Sequence, residues 1–177
     1  MSTQILIKSQ AETERLKTAG EYQHLSQEKN GAVQVTTNIR RELKKAFPGV
    51  KFSVTKRSCN TVTVKWTDGV TEERVKTITD KYRDSYFDGM QDLSVSCCSS
   101  FNAVYGGVGF VFTERKYSDK MKEMAINAFR NKFGSAFQNE DITLARFNTG
   151  ELWRVGNDFF PTGGVQARIN RMLSEME

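Results

Sequence analysis

The chain reads as an α+β protein, mixed helices packed on an antiparallel sheet, and three observations carry that reading. Val35, Ile39, Leu43 and Phe47 recur four apart with Ala46 beside them, which is one face of a helix. Phe52 and Val54, and then Val62, Val64 and Trp66, alternate with polar residues as half-buried strands do. Met121, Met124, Ala125, Ala128, Phe129 and Phe133 return to helical spacing. The expected order is helix-strand-strand-helix-strand-strand-helix, then C-terminal strands and a last helix. At 177 residues, 38% hydrophobic and 27% charged, the chain is long enough to bury one sizeable core.

Taken in order, residues 9–31 are rich in Glu, Gln, Lys and Ser, with only Leu16, Tyr22 and Leu25 as sparse apolar residues. Residues 1–34 are therefore expected to be a polar, mobile or weakly helical leader. The first firm helix is expected to start near Thr36 or Thr37, both good cap residues. It ends at Pro48-Gly49, because proline disfavours helix in the residue before it and glycine turns freely. Arg57-Ser-Cys-Asn60 joins the two alternating strands as a polar, basic hairpin tip. Asp68-Gly69 closes the second strand, and Thr71 with Glu72 and Glu73 opens a helix whose acids suit the positive end of its dipole. Val75, Ile78 and Tyr82 mark its buried face. Residues 84–92 read as an acidic, aromatic loop. Residues 93–97 and 104–113 read as strands, the second kinked at Gly106-Gly107. Ser118 and Asp119 start the clearest helix, and Gly134 ends it. Residues 142–147 and 152–155 read as short strands, and 165–176 as a final amphipathic helix after Thr162-Gly-Gly. Residues 35–134 are thus expected to form the core domain, and 135–177 an extension packed on it.

Several function classes find no support in the residues. No apolar run approaches the roughly 20 residues that cross a bilayer, and Met1 to Gln10 lack a charged-then-apolar signal pattern, so a cytoplasmic location is expected. The three cysteines are odd in number and two are adjacent, Cys97 and Cys98, which suits reduced thiols rather than a disulfide framework. Adjacent thiols also lack the spacer of a zinc knuckle, and opposite faces of a strand account for them more simply. His24, the single histidine, lies in the polar leader, away from any partner for nucleophilic catalysis. Gly106-Gly-Val-Gly109 lacks the third glycine of a dinucleotide fingerprint, and no Gly-Lys-Ser/Thr phosphate loop occurs. Asp84, Asp88 and Asp92 fail the calcium-loop pattern of alternating ligands and a closing glutamate. Glu114-Arg-Lys116, with Asp92 upstream, has the acid-x-Lys form of a metal-dependent nuclease, beside which surface ion pairing is the plainer account. No catalytic residue, metal or cofactor is expected, and the protein reads as non-enzymatic.

The charge is strongly localised. Between Asn38 and Trp66 stand eight basic residues, Arg40, Arg41, Lys44, Lys45, Lys51, Lys56, Arg57 and Lys65, against one acid, Glu42, giving +7. The whole chain is +5, so everything else sums to −2. Such a cluster suits a polyanion or an acidic protein partner, and a solvated charged face is its bland reading. Tyr86, Phe101 and Trp66 offer aromatic faces for unpaired bases, although Trp66 runs in phase with Val62 and Val64 and so reads as core.

Three segments together carry a family resemblance: Asn38-Ile-Arg-Arg-Glu-Leu-Lys-Lys-Ala-Phe-Pro-Gly-Val-Lys-Phe-Ser-Val54, Val62-Thr-Val-Lys-Trp-Thr-Asp-Gly69 and Phe87-Asp-Gly-Met-Gln-Asp92. The chain resembles the large polyvalent protein-associated domain 29 family over about residues 36–117. The resemblance implies a phage, plasmid or other mobile element, and supplies no catalytic residues. It also draws attention to the loop at Phe87 to Asp92: Tyr86, Phe87, Asp88 and Asp92 are a candidate partner loop, beside which a loop simply packed by Tyr86, Phe87 and Met90 is the plainer account. The expected function is an accessory protein in the cytoplasm of a host or recipient bacterial cell, binding nucleic acid, DNA before RNA, to protect or handle element DNA. The alternative is a stoichiometric inhibitor of a host defence complex, of the anti-restriction or anti-CRISPR type. No membrane partner is expected.

Overall fold

The computed structural model describes residues 9–88, 90 and 92–177, without the side chains of residues 87, 88, 93 and 94. The protein is α+β, 52% helix and 16% strand, as the residue patterns predict. Its elements are α1 (Gln10–Thr18), α2 (Gly31–Ala46), β1 (Ser53–Ser58), β2 (Thr61–Thr67), α3 (Glu72–Thr79), β3 (Ser85–Asp88), β4 (Leu93–Ser96), α4 (Ser100–Tyr105), β5 (Phe110–Lys116), α5 (Asp119–Phe133), α6 (Leu144–Thr149) and α7 (Gly164–Glu175). They divide into two units, one made of the described residues up to Trp66 with Glu72–Arg115, the other of Thr67–Thr71 with Lys116–Glu177. Helix α5, which the sequence assigns to the same core as the sheet, belongs to the second unit because its apolar stripe packs with α7 and the segments between them.

In the first unit α2 is the organising element. Val35, Ile39 and Leu43 are fully buried, each removing apolar surface worth roughly 1.5–3 kcal/mol from water. The helix starts at Gly31, earlier than the threonines suggest. Instead of capping, Thr36 Oγ1 donates to Ala32 O at 2.7 Å and Thr37 Oγ1 to Val33 O at 3.0 Å, one turn back inside the helix. It stops where predicted: Phe47 N donates to Leu43 O at 2.9 Å, and Pro48 follows.

After that turn, β1 and β2 pair antiparallel with Val54 opposite Val64 and a bulge between Lys56 and Ser58. Val54, Val62, Val64 and Trp66 are buried, so the strands' alternation places one face inward as expected. The sheet order is β1-β2-β5, and it is a mixed rather than a purely antiparallel sheet. Phe110 N donates to Asn60 O at one end and Asp68 N to Lys116 O at the other, so β5 runs parallel to β2. Where the strands begin to pair, Gly109 N donates to Asn60 Oδ1 at 2.5 Å, and a Cβ at Gly109 would push the Asn60 side chain out of that position.

Two segments of this unit differ from expectation. Residues 104–105 belong to a helix, not a strand: Ser99 Oγ accepts from Asn102 N while Asn102 Oδ1 accepts from Ser99 N, both at 3.1 Å, and this reciprocal cap opens α4. Gly106, at φ 87°, ends it. The leader is also ordered from Ser9 onward. Leu16 and Leu25 are 5% and 6% exposed, Ser9 N donates to Ser100 Oγ at 2.8 Å, and Tyr105 Oη donates to Leu16 O at 2.6 Å. Tyr22 stands 5.4 Å from both the Phe101 and Tyr105 rings. Few apolar residues suffice here because Tyr22 packs on the aromatics of α4 and Tyr105 holds the Leu16 carbonyl. The acidic loop is a hairpin, β3 pairing antiparallel with β4 from Ser85↔Ser96 to Asp88↔Leu93.

The second unit is helical. Met121, Ala125, Ile126 and Phe129 of α5 bury against Phe137, Ile142, Phe147, Leu152, Val155, Val165, Ile169 and Leu173. Met124, placed on the buried stripe by spacing, is 49% exposed, and Ile126 takes the inward position. The strands expected at 142–147 and 152–155 are instead α6 and a short 3-10 turn, Glu151–Arg154. Gly150, at φ 78°, separates them, its N–H closing on Phe147 O at 3.2 Å. With six-residue windows and few apolar residues, strand and helix patterns are not separable there.

Removing only the Tyr105 hydroxyl isolates the anchoring of the leader. Tyr105→Phe is expected to cost about 1 kcal/mol and to speed amide exchange in α1 more than in α2, read by hydrogen-exchange mass spectrometry. Unchanged protection of α1 would show that the bond does not hold it.

Candidate functional site

The cations of the 38–66 segment do not form one uniform surface, because the secondary structure sorts them. Arg40 Nη2 donates to Val54 O and fixes α2 alongside the edge strand β1. Arg41 Nη1 donates to His24 O at 3.1 Å and ties α2 to the segment before it. Lys65 is ion-paired with Glu114 across β2 and β5, both side chains a little under half exposed. The remaining five, Lys44, Lys45, Lys51, Lys56 and Arg57, are exposed and make no ion pair or side-chain hydrogen bond among the described residues. Lys44 and Lys45 occupy the last turn of α2, Lys51 follows the Pro-Gly turn, and Lys56 and Arg57 end β1. The helix dipole favours cations at the first two positions, but it gives no reason for the other three.

Glu42, the acid within this segment, faces the other way. It is 8% exposed, and its carboxylate accepts from Lys81 Nζ and from Tyr82 Oη at 2.6 Å. Burial, and then Glu42, push the Tyr82 phenol far above its usual range, so it stays a donor. The basic surface is therefore not neutralised by its own acid.

The aromatic candidates separate as clearly. Trp66 is 3% exposed and its ring lies 5.6 Å from Phe52. Phe101 sits among Tyr22, Tyr82 and Tyr105, with ring centroids 5.0–5.4 Å away. Neither offers a free face. Tyr86 is half-buried in β3 opposite Val95. Asp92 is exposed at φ 52° in the turn after it, and the side chains of Phe87 and Asp88 lie outside the described residues. The exposed aromatics of the sheet are ones that the residue patterns did not single out. Phe110 and Phe112 of β5 are 43% and 54% exposed, their rings parallel within 3° and 6.1 Å apart. The alternation Phe110-Val111-Phe112-Thr113 was visible, but period two alone does not say which face is buried.

The other chemical candidates are dispersed. Glu114 is engaged by Lys65, and among the described residues no three of His, Cys, Asp and Glu gather as a metal site. Cys59, Cys97 and Cys98 are free, and the last two follow β4 rather than lying within it. Asp84 is raised above the usual carboxylate range by burial, while its own backbone amide opposes the shift. Among the described residues no helix is long and apolar enough to cross a membrane.

Residues 31–118, the segment from the start of α2 to just past β5, match the large polyvalent protein associated domain 29 family. The match places it with proteins of phages and other mobile elements. No curated protein and no solved structure matches the chain.

His24 reports on the α2 surface. Burial, then the Lys45 cation, lower its pKa below the ordinary histidine value of about 6.5. The unfolded chain therefore binds the proton more readily. The stability His24 contributes is present above about pH 6.5 and falls away as the pH drops below it. Proton NMR of this single histidine is expected to show a midpoint below that of a free imidazole, and Lys45→Ala to raise it. An unmoved midpoint would separate His24 from the basic surface.

Proposed function

We propose that the protein binds nucleic acid for a phage or plasmid, protecting or handling element DNA in the cell the element enters. The observation that carries this reading is the set of five exposed cations without counter-ions among the described residues, Lys44, Lys45, Lys51, Lys56 and Arg57. Paired surface charges already have their partner, whereas unpaired like charges repel one another and are relieved by a polyanion. Phosphates spaced along a backbone meet such a set at several points, and each neutralised phosphate releases counter-ions. The side chains stand on rigid supports, a helix end locked to β1 by Arg40 and a paired strand. Lys51 in the turn links the two. The match of residues 31–118 to a mobile-element domain family supports the biological setting.

Neutralising Lys44 and Lys45 to Ala is expected to weaken duplex binding in a shift assay. It should also lower the slope of log affinity against log salt by about 0.9 for each phosphate that is no longer neutralised. Co-purification from host lysate, with and without nuclease, supplies the counter-test. Retained material that disappears with nuclease supports the reading; a stoichiometric host protein that survives it points instead to inhibition of a defence complex.

A further inference from the structure

We propose that the open face of the β1-β2-β5 sheet is a stacking platform for unpaired bases, so that the preferred ligand is single-stranded nucleic acid. This rests on the nucleic-acid reading above and deepens it. The two faces of the sheet differ. On one, Val54, Val62, Val64 and Trp66 are buried, α2 lies along β1, and the N-terminal Glu72 of α3 accepts from Thr113 Oγ1 of β5 at 2.6 Å. On the other, the residues of opposite parity point away from those helices. The hydrogen bonds at the two ends of the β2/β5 pair set Thr61 beside Phe110, Thr63 beside Phe112 and Lys65 beside Glu114, and the Lys65–Glu114 ion pair agrees with that register. Thr55 of β1 pairs with Thr63.

This face carries threonines on two strands, Thr55 exposed, Thr61 half-buried and Thr63 buried between its neighbours, and, on the third, two parallel aromatic rings roughly half exposed. A phenylalanine pair at successive same-face positions is an expensive thing to leave in water. Its flat faces suit nucleobases, each of which has a π-face regardless of sequence. Lys65 shares this face with its ion-pair partner Glu114, and Arg57 is an exposed cation without such a partner among the described residues, near the end of β1. A strand whose bases lie on Phe110 and Phe112 keeps its phosphates within the reach of this charge. A duplex hides its base faces in its own stack and gains nothing from the rings. Charge complementarity thus selects a polyanion, and the exposed rings select one with unstacked bases.

The test compares an oligo-dT with a duplex of equal length, on the full chain and on Phe110→Ala, Phe112→Ala and the double variant. Both residues are exposed, so thermal melting is expected to stay close to that of the parent. Each substitution is expected to weaken single-strand binding by roughly 5- to 150-fold, leaving duplex binding and the salt slope unchanged. In Phe112→Trp, affinity is expected to persist, with the new indole emission quenched on adding oligo-dT. Unchanged single-strand affinity in the double variant, with the parent still binding nucleic acid, overturns the platform and leaves the cationic reading standing. Failure of the parent to bind either ligand overturns both. A dimer that the double variant converts to monomer, with oligonucleotide binding unchanged, assigns the face to a second copy of the chain instead.

Discussion

The first unit depends on a buried polar stripe along α2. Gln34, Asn38 and Glu42, four apart and 4%, 0% and 8% exposed, lie beside the apolar stripe rather than on the solvent side. Unpaired, each would cost roughly 1–3 kcal/mol, and a charged group more. Each is instead spoken for. Gln34 Nε2 donates to Ser26 O and Val104 O, and Asn38 Nδ2 to Ser26 O and Tyr105 O, while Asn38 Oδ1 accepts from Ser26 N. Glu42 holds Lys81 and Tyr82. One helix face thereby fixes the segment after α1, the end of α4 and the turn after α3.

That constraint decides where charge and aromatic surface emerge. With one stripe of α2 committed to β1 and the next to α4 and Tyr82, Lys44 and Lys45 in its last turn are left exposed. The same packing gathers α2 and α3 on one side of a three-stranded sheet. On the opposite side Phe110 and Phe112 stay roughly half exposed. Cations at the sheet edge and rings on its open face are thus two consequences of one arrangement. The ion pair of Lys65 with Glu114, exposed to solvent, is worth at most about 1 kcal/mol and yields readily to a phosphate.

Where apolar spacing ran long enough, the fold was legible. The stripe of Val35, Ile39 and Leu43, the Val62-Val64-Trp66 alternation, the Ser118 cap of α5 and the 165–176 helix all stand where their patterns put them. Short elements were not. Val104 and Tyr105 favour strands by residue type, and only the Ser99–Asn102 cap, a contact of three-dimensional structure, makes them helical. The ordered leader was hidden because its burial comes from aromatics some ninety residues away, Tyr105 above all. Of the candidate site, the cations were visible as residue types, yet nothing in the sequence separated Arg40, Arg41 and Lys65, which have internal partners, from the five that do not. Phe110 and Phe112 were missed because large alternating apolar residues ordinarily mark the inner face.

The most direct measurement is photo-cross-linking of the full chain to a single-stranded oligonucleotide carrying 5-iodouracil, followed by peptide mass spectrometry. The account predicts adducts on the β5 peptide at Phe110 or Phe112. Adducts confined to the second unit, at Trp153 or Phe159, whose side chains are 48% and 65% exposed, would contradict it.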